Sequence, residues 1–187
     1  MKAVVMLMTA LLAAPAWAQD ESMKNLPGYV DFGSLSKIFG EPSVEIAVGH
    51  SLLGLVASFS DSEDPEAAQM LKRLKGVRIQ VFETGKSGTD VSDAKGSDAG
   101  ISVSALDQVQ QISSVLSETG WETVVKVSEP DEQLRIFMKI NGDAVEGLTV
   151  MSLEASEATF INVIGDLDPA DLDKVMENFD IEIDDKK

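Results

Sequence analysis

One histidine and no cysteine narrow the chemistry open to this chain before any fold is considered. Gly49-His50-Ser51 lies where an alternating strand pattern gives way to an apolar run, the setting of a hydrolase nucleophile elbow. That motif needs glycine two residues after the serine, but Leu53 stands there and Gly54 comes one place late. The sole histidine adjoins the serine, so no distant base completes a triad of the usual kind. Gly85-Lys86-Ser87 imitates the end of a phosphate loop, yet its upstream glycine would fall at position 80, which is Gln80 in a strand pattern. A transition-metal site of nitrogen and sulfur ligands lacks its donors. Calcium needs only oxygens, and Asp61-Ser62-Glu63-Asp64 and Asp166-Leu167-Asp168 supply clustered carboxylates. Neither has the Asp-x-Asp-x-Asp-Gly spacing, and both lie where a helix N-terminus favours acids without an ion. No catalytic, cofactor-binding or metal-ligating residue is assigned, and no cofactor is expected. Carboxylate chemistry is the remaining catalytic route, and Asp31, Glu122 and Asp166 could serve it if two of them faced each other across a cleft.

Two residues are oddly placed for a purely structural chain. Asn162 falls inside an apolar strand pattern, where a buried amide must find partners or face outward. Trp121 follows Gly120 at the start of a strand pattern, where it either joins the core or lines a pocket. These are the candidate binding residues.

The N-terminus reads as a targeting segment. Lys2 is followed by an apolar run from Ala3 to Ala14, too short to span a bilayer, then by Pro15 and Ala16-Trp17-Ala18. Cleavage after Ala18 would start the mature chain at Gln19, so residues 1–18 are expected to be a signal peptide. Without cysteine there is no lipobox thiol, and no later stretch approaches the roughly 18 apolar residues of a membrane helix. The expected product is a soluble protein of the bacterial periplasm, or alternatively a secreted one.

The chain carries 32 acidic and 15 basic residues, a formal charge of −17, and leader removal takes away Lys2 and no acid. Such a field repels phosphate backbones and anionic lipid, which argues against nucleic-acid and electrostatic membrane binding. It favours a neutral or cationic envelope protein or peptide as partner. The simpler account, a well-solvated acidic surface, needs no partner.

The elements expected to position these residues follow from hydrophobic period. Residues 19–43 form the N-terminal segment of the mature domain, and 44–179 an α+β domain. Val44, Ile46 and Val48 alternate as a strand, and Leu52 to Phe59 read as a buried helix. Asp64 caps a helix with Pro65 in its first turn, stripe Ala67, Met70, Leu71 and Leu74, and end at Gly76. Val77, Ile79 and Val81 give a second strand. Residues 85–102 collapse to small and polar types and read as a mobile loop. Ser104 is expected to cap a helix with Asp107 reciprocal to it and Ala105, Val109, Ile112 and Leu116 buried, ending at Gly120. Four strands follow. Trp121, Thr123, Val125 and Val127 share one face of the first; Leu134 to Ile140 form the second, with Asn141-Gly142 the hairpin signal after it. The others run about 145–153 and 159–164. Asp168-Pro169 open a last helix with stripe Leu172, Val175, Met176 and Phe179, before a charged tail at 180–187. Strands in succession with helices segregated give a single α+β domain, a mostly antiparallel sheet of about six strands with helices packed mainly on one face.

Four segments in this order carry a resemblance: Leu26-Pro27-Gly28-Tyr29-Val30-Asp31-Phe32, Gly120-Trp121-Glu122, Gly147-Leu148-Thr149-Val150, and Asn162-Val163-Ile164-Gly165-Asp166-Leu167-Asp168. Together they resemble the bacterial exported family called domain of unknown function 4252, over nearly the whole mature chain. The resemblance implies export and this fold, and brings no catalytic role. Many members are lipoproteins; this chain lacks the lipid-bearing cysteine and is expected free in the periplasm. The expected role is a non-catalytic periplasmic binding or envelope-associated accessory module, the alternative a carboxylate-dependent periplasmic hydrolase.

Overall fold

A computed structural model describes residues 21–33, 35–61, 64–84 and 101–167. The segments expected from the sequence to be a signal peptide, most of an 85–102 loop, a last helix and a charged tail lie outside them.

The described chain is a six-stranded antiparallel sheet in the order β1-β2-β6-β5-β4-β3. A short helix α1 (Ser36–Phe39) precedes β1 (Val44–Gly49). Helices α2 (His50–Ser60) and α3 (Pro65–Arg73) then lead into β2 (Leu74–Glu83), which pairs back on β1. Helix α4 (Val103–Glu118) carries the chain to β3 (Trp121–Ser128) at the opposite edge. From there β4 (Glu132–Asn141), β5 (Ala144–Glu154) and β6 (Glu157–Leu167) form a meander that returns to pair with β2.

Side-chain alternation gives the sheet two apolar faces. On the first, Phe82, Phe137, Met151, Leu153 and Phe160 meet the α4 stripe Ala105, Val109, Ile112 and Leu116, together with Val30, Phe32, Leu35 and Phe39 from the N-terminal segment. Phe39 packs on Phe82 and Phe160 with ring centroids 5.4 and 5.6 Å apart. Each such side chain contributes about 1.5–3 kcal/mol of burial. On the second face Leu134, Ile136, Met138, Leu148 and Val150 are buried, joined by Leu53 of α2 and Leu71 of α3.

Several local expectations are corrected. The helix at Leu52 to Phe59 exists but buries only Leu53 and Ala57, while Leu52, Leu55, Val56 and Phe59 are exposed. The α3 helix is capped by Asp64, whose carboxylate accepts from Ala67 N–H at 3.0 Å, but it ends at Arg73. Leu74 and Gly76 belong to β2, and Gly76 is small because Met23 lies over it: an added Cβ would sit 2.1 Å from the Met23 sulfur. Ser102, not Ser104, caps α4, its hydroxyl accepting from Ala105 N–H. Trp121 and Thr123 do share a face, but a bulge between Thr123 and Val125 turns Val125 and Val127 to the second face. Asn141 and Ala144 pair across a two-residue loop whose Gly142 has φ 65°.

Candidate functional site

The segment before α1 is a strap across the first face, and the sheet residues beneath it explain its path. Tyr29 N–H donates to Leu26 O, closing a turn with Pro27 and Gly28 at its centre. Gly28 then meets β5 backbone to backbone: a Cβ on it would lie 2.0 Å from Glu146 O, and one on Gly147 would lie 2.7 Å from Gly28 Cα and 2.9 Å from the Trp121 ring. Only glycine at both positions permits this approach.

Asn162 lies directly under the strap and is fully buried. Its amide oxygen accepts from Val30 N–H at 3.0 Å, and its amide nitrogen donates to Gly28 O at 2.9 Å and Leu148 O at 3.2 Å. Its register partner Arg78 on β2 donates to Val30 O at 2.8 Å and stacks over the Tyr29 ring at 4.7 Å. Both backbone polar groups of Val30 are thus held by side chains of the sheet. The strap continues as a turn in which Gly33 N–H donates to Asp31 Oδ1 at 2.8 Å. Gln108 of α4 donates to Phe32 O at 3.2 Å and fastens the far side.

Between strap, α4 and the end of β3 lies a cleft of about 410 Å³. Tyr29, Trp121, Ile112, Val115 and Leu116 line it, with Asp31, Gln108, Gln111 and Lys139 as its polar groups. Trp121 is 6 % exposed, at once a core residue over Gly147 and a wall of the cleft. The Lys139 ammonium donates to Thr119 O at the C-terminal end of α4, where a cation suits the helix dipole. The two candidate binding residues are therefore near one another but differ in kind: Trp121 borders the cleft, and Asn162 holds the strap that forms one wall of it. Sequence reasoning missed Gly28, Gly147, Arg78, Gln108, Gln111 and Lys139. The one signal that could have led to them was Asn162, a polar residue in an apolar strand that had to find partners.

Of the three acids considered for catalysis, only Asp31 borders this cleft. Glu122 pairs with Met138 and belongs to the opposite sheet face, and Asp166 is exposed near the end of β6. His50 Nδ1 donates to Leu74 O at 2.9 Å, and His50 and Ser51 border a different cavity, of about 540 Å³, with Lys75. Among the described residues no three His, Cys, Asp or Glu side chains converge as metal ligands.

A third depression, about 370 Å³, lies between the Ser113 and Ser117 side of α4 and Arg135. Burial lowers the affinity of the Arg135 guanidinium for its proton relative to an exposed arginine. Its two terminal nitrogens donate to the chain itself, to Val127 O, to Leu134 O at 2.9 Å, to Ser128 Oγ at 3.1 Å and to Gln133 Oε1 at 3.0 Å, so it clasps β3 to β4.

The sequence profile of a family described as domain of unknown function, DUF4252, matches residues 40–175. The match starts after the strap and includes its partners Arg78, Gly147 and Asn162. No curated protein and no solved structure matches the chain.

Proposed function

The chain belongs to the DUF4252 family, and from that premise we propose that it is a non-catalytic periplasmic binding module that takes an extended, neutral or cationic segment of an envelope protein in the cleft beside Trp121. The observation that carries this reading is the make-up of the cleft. Aromatic and aliphatic walls offer apolar contact, the Gln108 and Gln111 amides can donate to and accept from a peptide backbone, and the Asp31 carboxylate stands at the rim. A formal charge of −17 draws cationic partners to such a rim and repels anionic ones. The leader pattern of residues 1–18 supports the compartment.

In this reading Trp121 contacts the ligand, and Asn162 is a positioning residue that acts through the strap. Crosslinking in intact exporting cells, with a photoreactive side chain at Gln111, is expected to capture a discrete envelope partner. Capture should be lost in Trp121→Ala and retained in Trp121→Phe, which keeps the ring packed over Gly147. Equal capture by both variants, or turnover of peptide, ester or glycan by the purified protein, overturns it.

A further inference from the structure

We propose that the second face of the sheet is the docking surface for this chain's own C-terminal segment, residues 168–179. That face is apolar across its middle strands, with Leu134, Ile136 and Met138 from β4 and Leu148 and Val150 from β5. Among the described residues its only helical members are Leu53 and Leu71, from helices that pack beside β1, β2 and β6. Beside them Val77, Ile161 and Val163 are only half-buried. A sheet this apolar on both faces needs a second layer that α2 and α3 do not supply.

Connectivity selects the occupant. The chain preceding residue 21 joins the described part next to Met23, which sits over Gly76 on the Asn162 side of the sheet. Residues 85–100 rejoin it at Ile101, which packs on the first-face cluster. Of these three longer segments outside the described residues, the one after Leu167 departs from the second face, because Leu167 is itself buried in that cluster. Its sequence suits such a layer, since Asp168 and Pro169 supply a cap and a first turn, and Leu172, Val175, Met176 and Phe179 recur at helical spacing with acids between them. A helix from Pro169 to Phe179 would be roughly 16 Å long at about 1.5 Å per residue. That spans about three strand spacings of ~4.8 Å, enough to cross from β6 over β5 to β4. With this face closed by the chain itself, the cleft on the first face is left for partners.

The test places a benzophenone side chain at Met176 in the full chain and maps photocrosslinks by mass spectrometry. Crosslinks within one chain to second-face residues such as Val150 or Ile161 are expected. Crosslinks to α4 or the strap, to a second copy, or none above a control bearing the label at Lys187, overturn the proposal. In parallel, Leu172→Asp with Phe179→Asp should raise binding of a hydrophobic-surface dye several-fold while the sheet's circular dichroism persists, and unchanged dye binding also overturns it.

Discussion

Gly28 and Gly147 touch through their backbones, the Cα of one standing 2.7 Å from where a Cβ of the other would be. The nearest obstructing atoms are main-chain, so a rotamer change alone relieves neither side. Gly28→Ala or Gly147→Ala should therefore lift the strap and cost about 1–3 kcal/mol, as overpacking does elsewhere. Gly54 is the internal control. Nothing lies within 4 Å of its missing Cβ inside α2, so Gly54→Ala should be neutral or stabilising by up to ~1 kcal/mol. Thermal unfolding of the three variants checks the contrast.

The second prediction concerns the amide under the strap. Asn162→Ala leaves Val30 N–H, Gly28 O and Leu148 O without their partner and should cost on the order of 3 kcal/mol. Asn162→Asp still accepts from Val30 but turns a carboxylate toward two carbonyl oxygens in a buried place. Desolvation and those carbonyls would raise its pKa in the folded state above the ~3.9 of the unfolded chain. The folded variant then binds the extra proton, so its stability is greatest in acid and falls as pH rises from about 4 through the raised value. Denaturant midpoints of Asn162→Asp relative to Asn162→Ala across pH should diverge in that direction, and a constant gap would count against it.

Helix capping gives a third. Ser102→Ala removes the acceptor for Ala105 N–H and should cost about 1 kcal/mol, whereas Ser104→Ala, inside the helix, should stay within roughly 0.5 kcal/mol of the parent. Chemical denaturation separates the two.

The errors in the sequence reading have physical causes of the same kind. Periodicity located every described strand, the Asp64 cap and the buried stripe of α4, because those features depend on neighbours a few residues away. It placed Val125 on the wrong face because one bulged residue reverses alternation without altering composition. It made Leu52 to Phe59 wholly buried because an apolar run does not say which sides have a partner. The cleft was out of reach for the same reason: Gly28 meets Gly147, and Val30 meets Asn162, across more than a hundred residues of chain. For Trp121 the sequence left core and pocket both open, and the structure buries it in the core at the edge of the cleft, while the strap opposite it has no local signature beyond Pro27-Gly28.

The cleft beside Trp121 is the proposed binding surface, and the protein carries its own probe for it. Of its two tryptophans, Trp17 precedes the expected cleavage site, so protein made to start at Gln19 has Trp121 alone. Its fluorescence should be followed while a pool of lysine- and leucine-containing decapeptides is added, with an aspartate-containing pool as control. A saturable change is expected with the cationic pool only, weakened by added salt and by Gln111→Ala. An unchanged Trp121 spectrum with a peptide shown independently to bind would contradict it.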